Sequence, residues 1–305
     1  MRIVSLVPHA TELLFALGLE REIVAVTHEC DYPAAALSRP RVTRDALPAG
    51  LTAGAIDAAV RERTLRGEAI YELDRDALAA LQPDLIVTQA LCPVCAVSYE
   101  EVAELARGLA PAPSVIALDP KTLGETLADV GTLAEATDRR DEGAELLRRA
   151  RARIDGVALA LGAPPPRRPR VVALEWLEPV YVAGHWTPEL IELAGGEDVL
   201  GRPGGPSVTV AWEEVAGARP EIVVVMPCGY DAPRSRVEAR AYARELAGLG
   251  AARIVAVDAS AYFSRPGPRL IDGLELLARV IHPQRFAGAP AGGAALAADV
   301  AAVSG

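Results

Sequence analysis

TLGETLADVGTLAEATDRRDEGAELLRRARARIDGVALAL, residues Thr122 to Leu161, carries one helical pattern along its whole length, and its reading decides the fold. Apolar residues recur at Leu123, Leu127, Val130, Leu133, Leu146, Leu147, Ile154 and Val157, the spacing of a single helix face. No proline interrupts the run, Gly131 and Gly143 are its points of bending, and Gly162 followed by Pro164-Pro165-Pro166 stops it. A helix of roughly 40 residues spans on the order of 60 Å, far more than one sheet needs. The pattern predicts a backbone strut over 121–163 joining two domains.

On both sides of it strands and helices alternate. Ile3–Val7, Ile23–Thr27, Pro83–Thr88 and Ser114–Leu118 read as strands, with helices over Thr11–Leu19, Thr52–Arg66, Asp74–Leu81 and Tyr99–Leu109. After the prolines, strands are expected over Arg170–Leu174, Val180–Ala183, Glu221–Met226 and Arg253–Val257. Helices are expected there over Thr187–Ala194, Ala211–Ala218, Val237–Leu249 and Pro268–Ile281. This order predicts an α/β fold of two Rossmann-like lobes, 1–120 and 164–287, with mostly parallel sheets. A long rigid interdomain helix joins them, a ligand cleft lies between them, and the Ala/Gly-rich tail 288–305 is expected to fray.

At 305 residues the chain has room for two ordinary domains, and 51% hydrophobic with 24% charged residues is a globular balance. A net charge of -10 argues against nucleic acid or an anionic membrane surface as partner. Lys121 is the one lysine. The chain enters a strand at its first residues, and no apolar run is long enough for membrane insertion. As given it reads as cytoplasmic, where thiols stay reduced; a removed signal peptide would make it periplasmic or extracellular.

All four cysteines follow predicted strands. Cys30 sits in His28-Glu29-Cys30-Asp31-Tyr32-Pro33, Cys92 and Cys95 in Cys92-Pro93-Val94-Cys95, and Cys228 just past Ile222–Met226. Ligands in open α/β sheets bind beyond the carboxyl ends of strands, so every thiol is aimed at that kind of place. The CxxC pair alone has three readings: a redox pair, half a metal site, or two small apolar side chains in a turn. Taken together, Cys30, Cys92, Cys95 and Cys228 are candidates to hold an iron–sulfur cluster or another thiolate-bound metal.

The chain resembles the class III periplasmic binding proteins, and among them the cobalamin (vitamin B12) binding proteins of ABC transporters. The matching pieces are Ser5-Leu6-Val7-Pro8-His9-Ala10-Thr11-Glu12-Leu13, Asp31-Tyr32-Pro33, Pro83-Asp84-Leu85-Ile86, Gly195-Gly196-Glu197-Asp198 and Tyr262-Phe263-Ser264-Arg265-Pro266-Gly267-Pro268-Arg269. The resemblance implies a corrinoid ligand held in an aromatic cleft by Tyr32, Trp176, Tyr262 and Phe263, with Arg265 meeting amide or phosphate groups. It aligns Arg44 and Ser207 where the family often has a stacking tryptophan in each lobe. It also implies an ABC permease as partner, met by Asp76 and Glu213 at matching early helix positions; the helix dipole alone also favours carboxylates there. The cysteines are not part of the usual receptor pattern, and the resemblance implies a leaderless, cysteine-containing branch.

Pro8, His9, His28, Gln89 and His185 are further ligand-binding candidates because they neighbour predicted strand ends. His9 also reads as a helix-entry residue, His185 as lobe packing, Trp212 as core, Tyr230 as a weaker cleft candidate and His282 as surface. No nucleophile elbow, Walker loop or zinc-protease motif occurs, and Gly201-Arg202-Pro203-Gly204-Gly205 lacks the lysine and context of a phosphate cradle. The expectation is a non-enzymatic protein that captures a corrinoid or related tetrapyrrole in the interdomain cleft for uptake or handling. The alternatives are a cytoplasmic metalloprotein with redox or catalytic work, and a scaffold for protein contacts.

Overall fold

The computed structural model describes residues 1–89, 99–162, 167–286 and 298–299. It divides into two compact units, one of residues 1–120 with 125–147, the other of 121–124 with 148–305. The stretch read as a connecting helix is therefore shared between the units.

The first unit runs β1 (Ile3–Ser5), α1 (Pro8–Ala16), β2 (Ile23–Val26), β3 (Thr43–Asp45), α2 (Ala53–Leu65), β4 (Tyr71–Leu73), α3 (Arg75–Ala80), β5 (Leu85–Thr88), α4 (Tyr99–Gly108) and β6 (Ser114–Ala117). Helices α5 (Leu123–Ala136) and α6 (Arg140–Leu161) follow. The sheet has the order β2-β1-β5-β6 and is parallel throughout. Alternation along each strand feeds two cores. Ile3 and Val87 pack with Leu13, Leu14 and Leu133 on one face, whereas Val4 and Ile86 pack with Leu78 and Val102 on the other. Helix α1 starts three residues earlier than predicted, at Pro8, because proline's fixed φ suits a first helical turn whose N–H has no partner to lose. The β3–β4 ribbon is antiparallel and went unpredicted, since three-residue strands with charged members carry too little pattern.

The predicted single helix is two. Asp138, at φ +55, turns the chain between α5 and α6. Val130, Leu133 and Ala134 before the turn and Leu146 and Leu147 after it still pack on one core, so their spacing reads as continuous. At Gly143 an added Cβ would lie 2.5 Å from the Ala134 Cβ, a close approach that a glycine permits.

The second unit contains β7 (Arg170–Leu177), β8 (Val180–Val182), α7 (Thr187–Leu193), β9 (Glu197–Asp198), β10 (Val208–Thr209), α8 (Trp212–Gly217), β11 (Ile222–Val225), α9 (Ala232–Ala241), α10 (Ala243–Gly248), β12 (Arg253–Ala256), α11 (Ala259–Tyr262), α12 (Leu270–Ile281) and β13 (Ala298–Asp299). Its strand order is β10-β8-β7-β11-β12-β13, with β9 also on β7. The β7-β11-β12 centre is parallel, and β8, β10 and β13 add antiparallel edges. Four consecutive buried residues, Ile222 to Val225, make β11 the central strand.

The helix expected over Val237–Leu249 begins earlier, at Ala232, because the Asp231 carboxylate accepts the Arg234 N–H at 2.8 Å and caps it. It then breaks at Tyr242. Within the tail expected to fray, Ala298 and Asp299 pair with β12. Arg153 of α6 meets Asp272 and Glu275 of α12 at 2.6 and 2.8 Å. Among the described residues no helix is long and apolar enough to cross a membrane.

Candidate functional site at the strand carboxyl ends

In the first unit the chain steps from β1 outward to β2 and later returns to β1's other side as β5. The topological switch therefore lies between β1 and β5, where open α/β sheets place their ligands. Polar side chains are buried there: Ser5, His9 and Thr11 from the β1–α1 turn, Thr27 past β2, and Thr88 and Gln89 at the end of β5. Buried polar groups cost free energy unless bonded, and Ser5 and Thr11 are tied to each other. The Thr11 hydroxyl donates to Ser5 Oγ at 2.8 Å, Ser5 Oγ donates to the Val7 carbonyl at 3.2 Å, and Cys30 Sγ lies 3.0 Å from Thr11 Oγ1. The buried Thr88 hydroxyl has no hydrogen-bond partner among the described residues.

His28 is held from several sides. Its Nδ1 is 2.8 Å from Thr43 Oγ1, which also accepts the His28 backbone N–H at 3.1 Å. Its ring lies 5.2 Å from that of Tyr71, whose hydroxyl donates to Glu29 at 3.1 Å. Burial pushes the imidazole pKa down and Arg41 adds to this, against the opposing pull of Asp45. His28 is thus a neutral, oriented ring near pH 7.

In the second unit the switch lies between β7 and β11. Trp176 stands edge-on to Tyr230 with centroids 5.4 Å apart, and the Arg234 guanidinium sits 3.6 Å over the Tyr230 ring. Trp176 is partly exposed, yet its indole N–H is buried with no partner among the described residues. Beside it, the Glu175 carboxylate accepts the Ser207 hydroxyl, and Ser207 Oγ accepts the Gly184 N–H at 3.2 Å. The Cys228 N–H donates to the Glu175 carbonyl at 3.1 Å. Burial pushes the Glu175 carboxyl up, with the Ser207 hydrogen bond opposing it.

A family described as "Periplasmic binding protein" matches residues 3–261. The chain belongs to that family. It is 25% identical over 274 residues to the vitamin B12-binding protein of Vibrio cholerae, covering 90% of this chain and 86% of that one. The solved structure of the periplasmic vitamin B12 binding protein BtuF of Vibrio cholerae superposes with a TM-score of 0.66 at 22% identity, over 92% of this chain and 96% of that one. The periplasmic heme-binding protein RhuT of Roseiflexus sp. RS-1, in its apo form, gives 0.66 at 22% identity, over 93% and 98%. This periplasmic binding protein is thus a solute-binding component of ABC transport rather than an enzyme, and its fold is the expected one of two α/β lobes with mostly parallel sheets.

Within this binding protein the residues singled out from sequence fall into three groups. Pro8, His9, His28 and Gln89 lie at first-unit strand ends, with His9 and Gln89 buried, and Tyr32 is 48% exposed in the loop after β2. Trp176 lies at the second-unit switch. His185 is partly buried, with its pKa lowered by burial and then by Lys121. The second group faces inward. Tyr262 and Phe263 are buried, Phe263 packs where a Cβ on Gly273 would go, and its carbonyl accepts the Trp186 indole N–H at 2.8 Å. Arg265 lies in the field of Asp258, which caps α11 by accepting the Ala261 N–H at 2.7 Å. His282, expected at the surface, is partly buried with Nε2 3.1 Å from the Gly195 carbonyl. The third group is at the surface: Asp76 and Glu213 are exposed in the first turns of α3 and α8, and Arg44 is exposed and paired with Glu72.

Cys30 is buried in the first-unit core, whereas Cys228 is exposed in the second unit. Cys92 and Cys95 lie outside the described residues. Among the described residues no three His, Cys, Asp or Glu side chains are grouped to hold a metal. Sequence reasoning missed Glu175, Thr11 and Thr88. For Ser5, Thr27 and Thr88 a signal existed, since each is a short polar residue closing an apolar run.

Proposed function

We propose that this chain captures a corrinoid or a related tetrapyrrole at the carboxyl ends of its strands and delivers it to an ABC permease. The observation that carries the reading is Trp176, a partly exposed indole braced edge-on by Tyr230 at the second-unit switch. A flat macrocycle needs aromatic wall with a few placed polar groups; within the second unit His185 and Arg265 are the candidates for these, and within the first His28 and Gln89 with Pro8, His9 and Tyr32. The likeness to vitamin B12-binding and heme-binding proteins supports the same ligand class. Arg44 and Ser207, in place of stacking tryptophans, favour a ligand other than intact cobalamin.

Calorimetric titration with cyanocobalamin, dicyanocobinamide and haemin tests the proposal. At least one is expected to bind at micromolar Kd or tighter, with Trp176→Ala weakening it by about tenfold or more. No binding to any of the three sinks it.

A further inference from the structure

We infer that Glu175 and Ser207 form a hydrogen-bonding subsite that selects a macrocycle rimmed by carboxamides over one rimmed by carboxylates; this rests on the function proposed above. Glu175, near the end of β7, and Ser207, in the loop before β10, are both half-buried next to Trp176, and the Cys228–Gly229 turn after β11 donates to the Glu175 carbonyl. The frame beneath them is fixed. An added Cβ on Gly184 would meet backbone atoms of Gly205, Pro206 and Ser207, so only glycine lets that loop close against the end of β8. Ser207 is held there by accepting the Gly184 N–H, which leaves its own hydrogen for Glu175.

A carboxylate has about four acceptor sites, and among the described residues one hydroxyl, that of Ser207, donates to Glu175. Among the described residues no cation pairs with it; the nearby Arg234 guanidinium lies on the Tyr230 ring. Its remaining acceptor sites are open to water or to donors on a ligand. The chemistry then discriminates. A carboxamide satisfies Glu175 in either ionisation state, donating N–H to the carboxylate or accepting O–H from the acid. A ligand carboxylate can do so only when one of the two groups carries a proton; otherwise like charges meet in a partly desolvated place.

The test is calorimetric titration at pH 8 of wild type, Glu175→Gln and Ser207→Ala with two probes. Dicyanocobinamide has an amide rim and haemin a propionate rim. Glu175→Gln is expected to shift the affinity ratio toward haemin on the order of tenfold, the scale of one charged hydrogen bond. Ser207→Ala, which strips the carboxylate of its donor, is expected to shift the ratio the opposite way. A purely structural role would move both affinities together. A ratio unchanged in both variants, with wild type still binding, overturns the subsite alone; wild type binding neither probe overturns the proposed function itself.

Discussion

Asp129 on α5 has Glu125 and Asp119 for charged neighbours, and burial with their negative charge pushes its carboxyl up to about 7. The folded chain then keeps a proton between the ordinary 3.8 and about 7 that the unfolded chain releases, so this group's contribution to stability falls as pH rises through that window. Asp129→Asn is expected to gain on the order of 1–2 kcal/mol over wild type at pH 8, after allowance for solvent screening, and almost nothing near pH 4. Urea unfolding at the two values checks this; equal differences at both would refute it. Thr11→Val keeps the shape but strips Ser5 and Cys30 of a shared hydroxyl, and should cost about 1–2 kcal/mol, read as a lower urea midpoint at unchanged slope. At this scale the sequence was only partly legible. His28 and Trp176 stood out because rare side chains followed apolar runs, whereas Thr11 and Glu175 matter through hydrogen bonds that no spacing encodes.

Gly143 decides a contest between two effects. In an isolated helix Gly→Ala is favourable by about 1 kcal/mol, but here the new methyl would stand 2.5 Å from the Ala134 Cβ. Overpacking should win, and Gly143→Ala is expected to destabilise by roughly 1–3 kcal/mol; a raised thermal midpoint would show that α5 and α6 separate without cost. Element identity was the most legible layer. Short β-branched runs such as Ile222 to Val225 announced central strands, and Gly18 with φ +75 closed α1 as a C-terminal glycine should. The turn at Asp138 escaped because the apolar phase on α6 resumes the phase on α5. A left-handed aspartate leaves no mark in a hydrophobic pattern.

For the molecule as a whole, charge and surface carry the remaining test. Asp76 and Glu213 are exposed and tied to no core, so reversing both to lysine should leave ligand affinity unchanged and lower the thermal midpoint only slightly, through the lost helix-dipole contribution of about 0.3–1 kcal/mol at each. It should also abolish ligand-stimulated ATP hydrolysis by the cognate permease in proteoliposomes; undiminished stimulation would remove these residues from docking. The family was legible because its motifs recur from the first strand to the last helix, while the ligand was not, since selectivity rests on single side chains over a shared frame. The contact at Gly184 shows how such a frame diversifies. With the backbone beneath position 207 wedged in place, the residue there can be exchanged without the loop moving. A lineage can therefore alter what this chain carries one codon at a time, keeping the scaffold while the taste changes.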